Sequence, residues 1–196
     1  MAGLASPPVR RAKGESKMSS ICIAKFGGTS MTDSVCMIRS AKVSYERNAH
    51  IVVVSASSGT TNDLIALAQT AEKQSAKDYK IILNKIIERH RIMARELNLS
   101  EGSSQSHSHS QSHSHSHKHS QSKSSLNEKL EDIFDQMTSL ARGIHLMKEC
   151  SPKAMDKMLS FGERMSSTLF TKAMQQVLDQ HHVNKHAEFF DACLFT

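Results

Sequence analysis

Apolar positions along this chain fall into short runs and long periodic stretches, and the two kinds predict different elements. Ile21, Cys22, Ile23, Ala24 and Phe26 form a run too short for a helix, stopped by Gly27 and Gly28, and predict a buried strand that ends in a turn. From Thr32 to about Asn48, Val35, Ile38, Ala41 and Tyr45 share one helical face, with Asp33, Arg39, Glu46 and Arg47 elsewhere. Thr29, Ser30 or Thr32 each carry a hydroxyl able to cap that helix. Residues His50 to Ala56, HIVVVSA, predict a strand apolar on both faces, as in a parallel sheet covered by helices on both sides. Strand, helix and strand make a right-handed βαβ unit, and ligands in such sheets bind beyond the carboxyl ends of the strands. The turns after Phe26 and at Ser55 both lie on that edge.

Further along, helices are predicted from about Asn62 to Glu72, with Asn62 as cap, from Lys77 to Leu97 and from Leu126 to Lys148. In the last of these Leu126, Leu130, Ile133, Met137, Leu140 and Ile144 recur at alternating steps of four and three. The two long helices are expected to pair antiparallel, against the domain or across an interface between copies of the chain, their methionines serving as core. Ser151 and Pro152 begin another helix that runs to about Asp179, with Gly162 marking a break or a close approach. His186 to Phe195 predicts a third strand and its exit.

Composition changes this picture little. A length of 196 residues with 38% hydrophobic content suits one core. The formal charge of +6 is mostly peripheral, since residues 1 to 18 contribute +3 and residues 101 to 125 contribute +1, leaving +2 elsewhere. No basic face interleaved with aromatics points to nucleic acid, and no apolar run reaches the ~20 residues that span a bilayer. Cys22, Cys36, Cys150 and Cys193 lack metal-ligand spacing and fit a reducing cytoplasm. Residues 1 to 18 read as a flexible arm, either a targeting peptide or an upstream extension ahead of Met18.

The segment Gly102 to Ser125 alternates serine with His107, His109, His113, His115, His117 and His119, without an apolar side chain. It cannot repay the entropy of folding and reads as a disordered loop. Its imidazoles are ligands for zinc, nickel or copper, in weak and heterogeneous coordination rather than a fixed site.

Candidate chemistry begins at Lys25-Phe26-Gly27-Gly28-Thr29-Ser30. A glycine turn admits a phosphate to backbone N–H groups, a helix start adds partial positive charge, and Lys25 supplies a mobile cation; an ordinary βα turn with a solvated lysine is the bland alternative. This hexapeptide resembles the opening motif of the aspartate kinases, within the amino acid kinase family. Ser55-Ala56-Ser57-Ser58-Gly59-Thr60-Thr61-Asn62 resembles that family's SASxGxTN loop, and Leu159 to Ser167, LSFGERMSS, its LSxGExxS segment. Around Phe189, Phe190 and Asp191 the chain is similar to the family's WFD segment, with phenylalanine in place of tryptophan.

The resemblance implies an αβα three-layer sandwich with a mainly parallel sheet, incomplete here, formed by residues 19 to 196 apart from the 102 to 125 insert. It implies transfer of the γ-phosphoryl group of Mg2+-bound ATP to the β-carboxylate of L-aspartate, a first step toward lysine, threonine and methionine. The acceptor carboxylate is itself the nucleophile, so catalysis consists of alignment and charge neutralisation. By the same resemblance Lys25, Gly27, Gly28, Thr29 and Ser30 meet the ATP phosphates, while Ser55, Ala56, Thr61 and Glu163 hold the amino acid, Glu163 pairing with its α-ammonium group. The matched motifs make up less than half of such an enzyme, and low or absent turnover is expected of this stretch alone. Another amino acid kinase, such as one acting on glutamate, is the neighbouring alternative. A non-catalytic fragment or metal-binding interaction module is the alternative from a different class.

Overall fold

The computed structural model describes residues 20–73, 75–99 and 126–191. The flexible arm expected at residues 1 to 18 and the His-rich segment 102 to 125 lie outside the described residues. Element order is β1 (Ile23–Phe26), a 3-10 turn (Gly28–Met31), α1 (Ser34–Glu46), β2 (Ile51–Val54), α2 (Thr60–Lys73), α3 (Ala76–Leu99), α4 (Leu126–Met147) and α5 (Pro152–Gln180).

β1 and β2 pair in parallel, with Ile23 opposite Ile51 and Phe26 opposite Val54. Beyond the strand ends the Ser55 N–H donates to the Phe26 carbonyl at 3.2 Å, which keeps the two turns side by side. One face of the pair packs on the helices: Phe26 meets Phe170 of α5 with ring centroids 6.1 Å apart, and Val52 and Val54 lie against the core. On the other face Ile23, Ile51 and Val53 are 62%, 50% and 46% exposed. The sequence predicts strands covered on both sides; among the described residues the sheet has two strands with helices on one face alone, and no three-layer sandwich forms.

The expected third strand does not form over 186–191, and Cys193 and Phe195 lie outside the described residues. The physical reason is that this segment's polar groups are taken by helix side chains rather than by a neighbouring strand. The Ala187 N–H donates to Gln175 Oε1 at 3.0 Å, and Asp191 pairs with Arg164 at 2.9 Å, so the segment runs back along α5.

α3 and α4 are antiparallel, with Tyr79 against His145 at one end and Arg91 against Glu131 at the other. They pack against the body of the same chain through Leu83, Ile86, Met93, Ile133, Phe134 and Met137, all buried. α1 begins one step from where hydroxyl caps were expected. Asp33 is the cap, its carboxylate accepting from the Cys36 N–H at 2.7 Å, because Gly28–Met31 first winds a 3-10 turn. Asn62 likewise falls inside the first turn of α2, which begins at Thr60. α5 continues unbroken through Gly162. No helix among the described residues is long and apolar enough to cross a membrane.

Candidate functional site

Ala56 is where three separated stretches of sequence meet. It leaves β2 two residues after Val54 and is buried. A Cβ built on Gly28 would sit 3.0 Å from the Ala56 carbonyl oxygen. One built on Gly162 would come within 2.8 Å of the Ala56 Cβ, 3.3 Å of Leu64 Cδ1 and 3.6 Å of Thr60 Cγ2. Real Cβ atoms essentially never approach as closely as the 2.8 Å at Gly162, so α5 reaches this loop only because it presents glycine there, and at Gly28 the fit is tight enough that a side chain would have to push the loop aside by a few tenths of an ångström. Gly162 therefore marks a close approach and not a break.

The two glycines of the first turn have different surroundings. Gly28 is packed on the Ala56 loop, whereas a Cβ on Gly27 would meet nothing within 4 Å, so that side of the turn opens on free space. Ser30 closes the turn by donating its N–H to the Gly27 carbonyl at 3.0 Å. Thr29 is exposed and Ser30 half-buried. Lys25, one residue before the end of β1, is exposed and shares the uncovered face of the sheet with Ile23.

Around Ala56 the remaining sequence-predicted residues take flanking positions. Ser55 is half-buried at the end of β2, Thr61 is exposed in the first turn of α2, and Glu163 is exposed on α5 next to Gly162. The structure thus brings Gly28, Ala56 and Gly162 together and leaves Lys25, Gly27, Thr61 and Glu163 exposed. Arg164, the next residue on α5, turns inward: it donates to Asp191 and to Gln136 Oε1, each at 2.9 Å, and lies 5.7 Å from the Phe161 ring centroid. Asp191 of the FFD segment is thereby drawn to the same stretch of α5.

Beneath the loop runs a polar chain that joins two of its hydroxyls to α3 residues no motif pointed to. Ser57 Oγ and Thr60 Oγ1 are 2.7 Å apart, Ser57 Oγ lies 3.2 Å from His90 Nε2, and His90 Nδ1 lies 2.8 Å from the Ile86 carbonyl. Arg89 donates to Thr60 Oγ1 at 2.9 Å and pairs with Asp63 at 3.0 Å, the same distance at which Lys85 meets the other carboxylate oxygen. Burial pushes His90 down to about 4, with the Arg89 charge adding to it and the Ile86 hydrogen bond and Asp63 opposing, so the imidazole is neutral at pH 7. One sequence signal could have found it: His90 falls on the apolar stripe Leu83, Ile86, Met93 and Leu97, where a polar side chain needs a partner.

Among the described residues no group of three or more His, Cys, Asp or Glu side chains is placed to hold a metal ion. The expected ligands His107, His109, His113, His115, His117 and His119 lie outside the described residues.

Known proteins similar to the chain are aspartokinases. The lysine-sensitive aspartokinase 3 of Escherichia coli is 30% identical over 164 residues, which are 81% of this chain and 29% of that protein. The chloroplastic aspartokinase 3 of Arabidopsis thaliana is 28% identical over 177 residues, 88% of this chain and 27% of that protein. A Haemophilus influenzae protein named "Putative inactive aspartokinase 3" is 34% identical over 86 residues, 43% of this chain and 60% of that one. Among solved structures, E. coli aspartokinase III in complex with aspartate and ADP, in its R-state, superposes with a TM-score of 0.61 at 28% identity, covering 81% of this chain and 29% of that one. Its T-state complex with lysine and aspartate gives 0.60. No family model matches the chain. The chain spans less than a third of the first two of these relatives, at 29% and 27% of their length.

Proposed function

We propose that this chain, a partial aspartokinase by its similarity over about 80% of its length, carries the amino acid site and part of the phosphate site of an ATP-dependent aspartate kinase. The complete activity would transfer the γ-phosphoryl group of ATP to the β-carboxylate of L-aspartate, giving 4-phospho-L-aspartate. Support comes above all from the convergence at Ala56, where Gly28 and Gly162 bring the turn and α5 against one loop. Three motifs far apart in sequence thus border one place, as a shared ligand site requires.

In this assignment the amides of Gly27 and Gly28, with Thr29, Ser30 and Lys25, cradle phosphate oxygens. The residues fit a phosphate group in one respect that can be checked: space is free beside Gly27. Mg2+ would arrive with the ATP phosphates and shield their charge. Lys25 supplies a cation as negative charge shifts onto the transferred group, Ser55, Ala56 and Thr61 line the acceptor, and Glu163 binds its α-ammonium. Because the acceptor carboxylate is ionised at neutral pH, no general base is needed; orientation of the two substrates is the work left to the protein.

The experiment is calorimetric titration of residues 1–196 with L-aspartate and with L-glutamate, beside ATP-dependent hydroxamate formation. We expect aspartate binding that falls at least tenfold in Glu163→Gln, weaker glutamate binding, and turnover low or absent. Equal affinity for both acids would point to another amino acid kinase. No binding of either would favour a non-catalytic fragment, an outcome with a precedent in the name of the Haemophilus influenzae relative. Turnover that survives Lys25→Ala would overturn the role of Lys25.

A further inference from the structure

We propose that Arg89 and His90 of α3 are positioning residues that clamp the Ser55–Thr61 loop in its ligand-holding shape through a one-directional chain of hydrogen bonds. This inference rests on the aspartate-site assignment above for its purpose, though the clamp itself can be tested without ligand.

The direction of the chain follows from what each atom can do. A carbonyl oxygen only accepts, so the 2.8 Å contact to Ile86 requires the proton on His90 Nδ1. Neutral imidazole then has a bare Nε2, which must accept from the Ser57 hydroxyl at 3.2 Å. With its single proton committed there, Ser57 Oγ can only accept from Thr60 Oγ1 at 2.7 Å. Thr60 has now spent its own proton, and its oxygen accepts from Arg89 Nη2 at 2.9 Å. Every member has one assignment and no alternative that satisfies all four contacts. Asp63 of α2 completes the arrangement by holding the Arg89 guanidinium through one carboxylate oxygen while Lys85 of α3 pairs with the other.

Burial makes the chain binding on the backbone. Ser57 is 2% exposed, and Thr60 and His90 are fully buried, so water cannot replace a lost partner. The two hydroxyls flank Ser58 and Gly59, and Gly59 is left-handed at φ 78°, with a Cβ there 3.7 Å from Arg89 Nη1. Fixing residues 57 and 60 fixes Ala56 on one side and Thr61 on the other, two of the loop's three proposed acceptor-site residues. Ser57 and His90 are a hydroxyl and an imidazole in contact, yet their burial leaves no path for a substrate. Their role is geometric.

The test uses residues 1–196 labelled with 15N, in wild type, Ser57→Ala, His90→Phe and the acceptor-retaining His90→Gln. We expect the wild-type His90 nitrogens to show a protonated Nδ1 and a bare Nε2, and the Nε2 resonance to move in Ser57→Ala. In Ser57→Ala and His90→Phe, amide exchange at residues 58–61 should rise at least tenfold while α4 stays within twofold, and L-aspartate affinity should fall about tenfold. His90→Gln should recover most of both. The clamp is overturned by a proton on Nε2, or by unchanged loop exchange in Ser57→Ala. A loosened loop with aspartate affinity within twofold of wild type would overturn the positioning role. Wild-type protein that binds no aspartate counts against the kinase assignment instead, and loop exchange still decides the clamp.

Discussion

Replacing Gly162 by alanine sets two effects of opposite sign against each other, and a second substitution can reverse the outcome. In a helix interior, glycine to alanine stabilises by about 1 kcal/mol through backbone entropy and propensity. Here the new methyl would lie 2.8 Å from the Ala56 Cβ, an atom fixed to the backbone that cannot swing aside. Leu64 Cδ1 at 3.3 Å is the end of a flexible side chain and can yield. Overpacking of a core by one methyl costs about 1–3 kcal/mol, so Gly162→Ala alone should be destabilising by about 0–2 kcal/mol. Combined with Ala56→Gly the obstructing atom is gone and only the propensity gain remains. Gly162→Ala should then stabilise by about 1 kcal/mol relative to the Ala56→Gly single variant, a coupling of about 1–3 kcal/mol. Urea denaturation of the four proteins measures the cycle. Equal effects of Gly162→Ala in both backgrounds, with coupling under about 0.5 kcal/mol, would show that α5 does not meet the loop at this point.

Three further outcomes are expected. Gly28→Ala places a methyl 3.0 Å from a backbone carbonyl that cannot rotate away, so it should destabilise by about 1 kcal/mol or more and weaken nucleotide binding, measured by urea denaturation and ADP titration. His90 has a folded value of about 4 against an ordinary 6.5, so its contribution is complete above pH 6.5 and is lost as the pH falls toward 4. The unfolded chain takes up the proton first, the loss approaches about 3 kcal/mol, and it should disappear from the pH dependence of urea midpoints in His90→Gln. Asp33→Ala removes a cap worth about 1 kcal/mol. The Cys36 N–H holds the Asp33 carboxyl below its usual value, so that difference, read from denaturation midpoints, should be present above the ordinary carboxylate range and shrink as the pH falls below it.

The periodic helices were legible because their apolar stripes are long and repeat at alternating steps of three and four, and the antiparallel pairing of α3 with α4 followed from two such stripes close in sequence. Local capping was less legible, since Asp33 and three hydroxyls stand within five residues and the choice depends on the 3-10 turn between them. The segment from His186 to Phe195 carries the apolar content of a strand, yet pattern cannot reveal that Gln175 and Arg164 would take polar groups of residues 187 and 191. The same limit hid the partners of Arg89 and His90: the place of His90 on the apolar stripe of α3 says that it needs a partner, but not that the partner is a loop about 30 residues earlier. Conversely, the role of Gly162 as a contact was open to sequence, because a glycine within a strongly helical stretch implies either a break or a neighbour close by.

α5 is one unbroken helix from Pro152 to Gln180, and it touches the Ala56 loop about a third of the way along. From that fulcrum to Gln180 the rod extends about 27 Å at the helical rise, so a tilt of about 5° at the loop displaces the far end by about 2 Å. The lever works in the other direction as well. Just past its far end His181 stacks on Tyr45 of α1 with ring centroids 4.3 Å apart, so a sideways force on that aromatic pair would arrive at Ala56 as a rotation of the helix bearing Gly162 and Glu163.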